Sequence, residues 1–508
     1  MNGDQKIASA EKLDISHIES SGIDGDADRL RDLGYKQEFQ RSLGSILQIA
    51  FPFTAMGVLP NWLVGFGPSL ASGGPMTTPF TMAVCLCMAE LYSTYPLSGG
   101  IYSWCYLLTS KKWGPFMAFV SGYIYLAALL TANMTVAWNL AQLIIGIVSV
   151  VRDETIDSTG AYVGIYILMV LICTVCGFGG MKFTNFLNFF MAFWLFANTF
   201  VFGIGVPCLA PKSNNASWVF SQFTNETGFG NPALVFFLGL LQAGWTMVGF
   251  DSGITISEST KDADKKGPQG LILCVVLALV QGIALTIAVL FSIQDLDALI
   301  NSDMPIADFF MQVTNSRQIS AFFLSVMVIA QFGSLSNTAV AFTSIAWSMA
   351  RDGALPYSKY FYKLHNEVPL RLVALQFVVM VIFILPVFGT MVYWEAVLST
   401  GVITYNIAYA MPFACRLAWS RKTMPTGPFS LGRWSLPLNA VALLWISFLS
   451  VILCFPSINP VDATSMNYSA LMLGAVFIFT TLYFAVSGHK YYKGPRTTVD
   501  DDDEGFAA

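Results

Sequence analysis

The sequence predicts an all-α integral membrane protein of about twelve transmembrane helices, built as a five-plus-five inverted repeat whose first and sixth helices are broken. Composition is the first observation behind this: 55% of the 508 residues are hydrophobic, 11% are charged and the mean hydropathy is +0.61, whereas a soluble domain carries about 25% charged residues. The second is the recurrence, along the whole chain, of apolar segments near or above the roughly 18 residues that mark a membrane helix. The third is a pair of segments, five spans apart, in which proline and glycine interrupt the apolar run.

Apolar runs between polar breaks place the spans near 43–66, 75–93, 115–149, 161–180, 184–207, 233–257, 269–292, 319–350, 370–389, 393–414, 436–455 and 469–487. Residues 43–488 then form one membrane domain, with a first repeat over 43–207, a second over 233–414 and two further helices over 436–487. Residues 1–42 and 489–508 are acidic cytoplasmic tails with too few large apolar side chains to order themselves. The first tail lacks the basic start and early apolar core of a signal peptide, so no cleavage is expected. With a cytoplasmic N-terminus, only Arg152, Lys212 and Arg317 of the 26 Lys and Arg residues fall in outward loops, the bias that fixes orientation in membrane proteins.

In the first span, FPFTAMGVLPN carries Pro52, Gly57 and Pro60 at bilayer depth, and each proline removes a backbone donor and disfavours straight helix. The second ends in MAELYSTYPLSGG, with Glu90 near the cytoplasmic exit, and the third carries Asn133. The outward loop between the fifth and sixth holds the sequons Asn215-Ala-Ser and Asn225-Glu-Thr, making Asn215 and Asn225 candidate glycosylation sites. In the sixth, GWTMVGFDSG sets Gly244, Gly249 and Gly253 around Asp251 and Ser252, with Glu258 beyond. An ionisable group at that depth costs several kcal/mol and is usually retained for function. The eighth span contributes Ser334, Ser336 and Asn337.

Irregular backbone inside a membrane is tolerated only where it lines a cavity or is buried in protein. At such a break, helix N-termini suit a carboxylate, while freed carbonyls and helix C-termini suit an ammonium or a metal cation. Asp251 therefore sits at the mouth of a candidate binding site. Glu90 and Glu258 are candidates for an inner gate or for structural anchors paired with basic loop residues. Asn133, Ser334, Ser336 and Asn337 are candidates for the site or for interhelical hydrogen bonds. The nine cysteines lie in or beside spans and read as small packing residues. His17, His365 and His489 lie outside the spans, so neither a histidine relay nor a metal centre is expected. With no P-loop, nucleophile elbow or metal-ligand spacing, neither an ATP-driven pump nor an enzyme is expected.

Several stretches together are specific: LGYKQEFQRSL before the first span, MAELYSTYPLSGGIYSW, GFDSGITISEST, ARDGALPYS after the eighth span and GPFSLGRWSLPLN before the eleventh. On these the chain resembles the amino acid/polyamine/organocation superfamily, and within it the eukaryotic amino acid/choline permease family, from about residue 33 to 490. FTNETG and FSIQDLDA resemble the choline permeases, GFDSGITISE the amino acid and GABA permeases. The resemblance implies a leucine-transporter-type fold and alternating access driven by an ion gradient. By position, Thr54, Ala55, Met56 and Gly57 would be the unwound part of the first span, offering backbone groups to a carboxylate. Gly249, Phe250, Asp251 and Ser252 would be the counterpart in the sixth, with Phe250 either an aromatic lid or a packing residue. Asp251 would bind a substrate amine, orient the unwound backbone or titrate as the coupling group. Sodium-coupled members of this fold hold the ion between the first and eighth spans, and some sodium-independent relatives place a lysine there; the nearby lysine in this chain is Lys182.

The expected function is secondary active transport of an amino acid or related amine, GABA-like and proton-coupled, with sodium as the other candidate ion and no further cofactor. The alternative is a permease for choline, another quaternary amine or a polyamine, held in an aromatic box to which Trp62, Trp138, Trp245, Phe250 and Tyr405 would contribute. A nutrient-sensing transceptor is the alternative of another class. Expected partners are the small-molecule substrate, the lipid bilayer and a ubiquitin ligase acting at the tails, through Lys6 or Lys12; nucleic acid is not among them. The plasma membrane is the expected residence, with vacuole, Golgi or mitochondrion as alternatives.

Overall fold

The computed structural model describes residues 30–495 except 32, 36–40, 42, 65–77, 222–224, 226, 303, 366, 457 and 464. Each span expected from the sequence is helical over its described residues apart from the breaks in the first and sixth, and nine helices of the described residues are long and apolar enough to cross a membrane. No strand occurs among the described residues, only the bridges Leu43–Thr260 and His365–Val368.

The first span is two helices, α1 (Ser45–Met56) and α2 (Val58–Val64), joined at Gly57. The second is α3 (Thr78–Thr94), followed by the short α4 (Gly100–Leu107). The third, α5 (Gly114–Arg152), has 39 residues. At about 1.5 Å per residue that length overshoots an apolar core of roughly 30 Å, so α5 projects beyond it. α6 (Thr159–Gly177) and α7 (Gly180–Leu209) complete the first half.

After α8 (Ala216–Ser221), the sixth span runs as α9 (Pro232–Thr246), then irregular backbone over 247–251, then α10 (Ser252–Thr255). The seventh is α11 (Ala263–Ser292). Two short helices that the apolar pattern did not mark, α12 (Leu296–Ile300) and α13 (Pro305–Thr314), precede the eighth span, α14 (Arg317–Arg351). α13 is strongly amphipathic and buries Phe309 and Phe310 against Phe323 and Leu324 of α14, which makes it a cap over the bundle. α15 (Ser358–Phe361), α16 (Leu370–Ile384) and α17 (Met391–Trp419) follow, then α18 (Ser435–Ile452), α19 (Ser469–Tyr483) and α20 (His489–Tyr491).

α14 packs along α5 and α11 along α3, so two of the main helix pairs join spans five apart. Burial sorts the helices: the apolar window of the first span is 83% buried, against 11% for the last. The first, third and eighth spans therefore form the centre, and α6, α16, α18 and α19 the rim. Phe186, Phe193, Phe196 and Phe200 project from α7 largely exposed, an arrangement that only a lipid surround makes favourable.

Both segments expected as tails contain packed residues. Leu30 and Tyr35 are buried with Leu97, and Leu43 exchanges backbone hydrogen bonds with Ser259 and Lys261 at 3.0 and 3.1 Å. Tyr492 is buried against Phe119. His17, Lys6 and Lys12 lie outside the described residues.

Candidate substrate site

The first break is one residue long. Gly57 sits at φ +49°, and a Cβ there would lie 3.0 Å from both Cβ and Oγ of Ser334, so both backbone conformation and close approach call for glycine. The carbonyls near the break have partners, as buried backbone requires. Thr54 O accepts from Gly57 N–H at 3.1 Å, Ala55 O from Ser334 Oγ at 2.7 Å and Met56 O from Asn61 Nδ2 at 2.8 Å. Asn61 Oδ1 in turn accepts from Gln331 at 3.0 Å. By contrast the Thr54 hydroxyl, fully buried, has no hydrogen-bond partner among the described residues.

The second break faces the first. Gly249 adopts φ +94°, and a Cβ there would stand 3.7 Å from Met56 N and 3.8 Å from the Ala55 carbonyl. The two irregular backbones therefore approach to van der Waals contact, and it is the positive φ rather than lack of space that calls for glycine at 249. Asp251 follows, fully buried. Its Oδ1 accepts from the Tyr409 hydroxyl at 2.6 Å and its Oδ2 from the Tyr125 hydroxyl. Tyr405 stands edge-on to both tyrosines, at ring-centroid distances of 6.2 and 5.7 Å, and Phe250 packs on Tyr409 at 5.5 Å. Among the described residues no basic side chain pairs with Asp251. The Ser252 hydroxyl, like that of Thr54, is buried without a partner among the described residues.

Sequence reasoning placed Asp251, Phe250 and Tyr405 in this cluster but missed Tyr125 and Tyr409. Tyr405 and Tyr409 are one helical turn apart in TYNIAYA, a spacing that puts them on one face of α17. Trp62 and Trp138 lie elsewhere: Trp62 packs in a separate apolar cluster, and Trp138 stacks on Tyr162 and Trp394. The side chains of Trp245 and Lys182 lie outside the described residues.

α14 presents two polar faces. Ser334 and Asn337 face the first span; Asn337 Nδ2 donates to Phe51 O at 3.0 Å and to Asn188 Oδ1, from α7, at 2.5 Å. Ser336 instead lines a cavity of about 90 Å³ together with Asn133, Thr255, Glu258 and Gln376. The four candidates that the sequence grouped are thus divided between two places.

Toward the basic end of the bundle lie two buried ion pairs. Glu258, just after α10, meets Arg351 at 3.1 Å and accepts from Ser98 Oγ at 2.6 Å. The Arg351 guanidinium also covers the Tyr35 ring at 4.2 Å. Glu90 meets Arg416 of α17 at 2.7 Å, and accepts from Ser435 Oγ at 2.7 Å and Leu431 N–H at 3.1 Å. It therefore fastens α3 to α17 and to the turn before α18. At the opposite end Asn215 and Asn225 are exposed, and the Asn225 amide donates to Phe229 O at 2.8 Å.

Two broken helices meeting back to back in a bundle of apolar spans, beside a buried carboxylate ringed by aromatics, define a multi-pass membrane permease. The chain belongs to the amino acid permease family, whose model matches residues 46–478. It is 30% identical to the amino-acid permease BAT1 homolog of Oryza sativa subsp. japonica, over 93% of this chain and 96% of that protein. Amino-acid permease BAT1 of Arabidopsis thaliana is 28% identical over the same shares. The GABA-specific permease of Saccharomyces cerevisiae is 26% identical over 96% of this chain and 89% of its own length. The chain is therefore a transporter of the amino acid permease kind and not an enzyme.

Proposed function

We propose that this permease moves an amino acid or related amine, GABA-like in size, by alternating access coupled to protons. The observation that carries this reading is the meeting of the two breaks at Gly249 and Ala55–Met56, with the hydroxyls of Thr54 and Ser252 buried beside them and unpartnered. Buried polar atoms in native proteins are hydrogen-bonded, and the polar ends of a bound amino acid supply such partners. Asp251 is fully buried with two phenol donors and no cation. A buried carboxylate needs neutralisation, and a substrate ammonium or a proton is what would provide it.

Sodium finds less support. The carbonyls of Phe51 and Ala55 already accept from Asn337 and Ser334, so neutral donors hold the first span to the eighth where a metal ion would otherwise bridge carbonyls. Glu258–Arg351 serves as the inner gate on this reading, and Glu90–Arg416 as an anchor.

A quaternary amine is the second reading, and one observation favours it: Tyr125, Tyr405, Tyr409 and Phe250 surround an anionic group, which suits cation–π recognition. The test is uptake of labelled GABA, neutral and basic amino acids, choline and a polyamine into permease-deficient cells at two external pH values, with Asp251→Asn alongside. Saturable amino acid uptake that rises at acid pH and is lost in the variant supports the first reading. Choline uptake alone supports the second, and surface expression without any flux overturns both.

A further inference from the structure

The cavity on the far face of α14 is separate from the meeting point of the breaks. Its wall runs from Asn133 on α5, past Cys173 on α6 and Ser336 and Val340 on α14, to Gln376 on α16, and the segment after α10 closes one side. At the deep end Asn133 is fully buried, and neither its Nδ2 nor its Oδ1 has a partner among the described residues. Gln376 is 4% exposed, and its Nε2 is likewise unpartnered among the described residues. Two primary amides lining one cavity are an unusual expense inside a membrane bundle, because an unsatisfied buried amide is costly. They supply donors without adding charge.

The other end is acidic. Among the described residues, Glu258 and Glu367 are the charged side chains that line the cavity. Glu258 is engaged by Arg351, while Glu367 has no ion pair among the described residues and is half-exposed near the basic, cytoplasmic end of the bundle. Neutral donors at depth and carboxylates at the mouth orient a zwitterion, carboxylate inward and ammonium outward. Thr255, one helical turn beyond Asp251 and Ser252, lines the same cavity, so the cavity begins beside the break.

We propose that this cavity is a second, cytoplasm-facing station for a carboxylate-bearing zwitterion, held by the amide N–H groups of Asn133 and Gln376 after it leaves the break site. The station rests on the transport reading for its order of events but not for its binding chemistry. It makes affinity asymmetric: the amides act on substrate that approaches from, or departs to, the inside.

The test compares right-side-out with inside-out membrane vesicles bearing the full chain, with labelled GABA and labelled alanine as probes. Asn133→Leu and Gln376→Leu should raise KM about tenfold in inside-out vesicles, the factor expected from losing a hydrogen bond to a charged group, and leave KM in right-side-out vesicles unchanged. Thermal unfolding of each purified variant without probe should match or exceed that of the wild type, since leucine removes an unsatisfied amide. Equal KM changes in both orientations, no change in either, or variants that unfold at lower temperature would overturn the station. If the wild type moves neither probe, the transport reading fails for them, and thermal shift decides the station. Stabilisation of the wild type by either probe, reduced in Asn133→Leu, supports it; no difference overturns it.

Discussion

The carboxylate of Glu258 and the guanidinium of Arg351 meet at 3.1 Å, both almost wholly buried, and join the end of the broken sixth span to the end of the eighth. The pair is fixed further by Ser98 on one side and the Tyr35 ring on the other. Removing one partner of a buried pair leaves the other charge uncompensated and costs about 3–5 kcal/mol, whereas replacing both by neutral groups is often tolerated. Arg351→Met should therefore lower the melting temperature of the purified protein sharply, and Glu258→Gln added to it should recover part of the loss, the rest belonging to Asp352, whose buried carboxylate also lies 3.7 Å from Arg351. A double variant no more stable than Arg351→Met would show that the pair does not act as a unit.

Gly57 and Gly249 hold positive φ where the two spans touch, and a Cβ at Gly57 would also lie 3.0 Å from the Ser334 side chain. A left-handed conformation costs a non-glycine residue about 1–2 kcal/mol before any clash. Gly249→Ala should therefore reduce stability by at least about that amount, and Gly57→Ala by more, because Ser334 must also give way. Gly44, which has no positive φ and open space around its Cβ position, supplies the control: Gly44→Ala should leave both melting temperature and uptake unchanged.

These glycines also mark how far the sequence could be read. Pro52, Gly57 and Pro60 in one apolar run, and Gly249 and Gly253 around Asp251 in another, are visible as interruptions because a membrane helix is otherwise monotonous. The breaks and the helix order were legible for that reason. What occupies the break was not, since Tyr125 and Asp251 are 126 positions apart and only the packing of α5 against α17 brings the tyrosine pair together. The split between Ser334 and Ser336 was hidden for a different reason. Two residues apart on a helix means opposite faces, but which face meets which neighbour depends on the angle at which α14 enters the bundle. Amphipathic α13 went unread because it is short and belongs to a loop.

Tyr409 and Tyr125 each donate to one oxygen of Asp251, so the two phenols divide the work of orienting the carboxyl. A hydrogen bond to a charged group contributes about 1.5–3 kcal/mol, which corresponds to a loss of about tenfold or more if the bond is made in the substrate-bound state. Tyr409→Phe and Tyr125→Phe should each reduce kcat/KM for uptake by about that factor while preserving surface expression. Asp251→Asn, which keeps the shape and removes the charge, should abolish uptake or its acceleration at acid pH. Wild-type pH dependence in Asp251→Asn would exclude this carboxyl as the coupling group.

Asn337 is where the proton and sodium readings make different predictions. Its amide nitrogen bonds Phe51 O of the first span and Asn188 Oδ1 of α7, so a single neutral side chain holds three spans where a cation would serve the same end. Replacing external sodium by N-methylglucamine should leave uptake unchanged at fixed pH. Asn337→Ala removes a donor and leaves buried acceptors unsatisfied, at a cost of about 1–3 kcal/mol, so the variant should melt at lower temperature. Sodium should not restore that stability if what the variant loses is the hydrogen-bond donor Nδ2. Stabilisation of Asn337→Ala by sodium over potassium would instead show that the carbonyls can gather an ion once the amide is gone, and that the amide stands in place of one. Loss of wild-type uptake on sodium replacement would overturn the proton as the sole coupling ion.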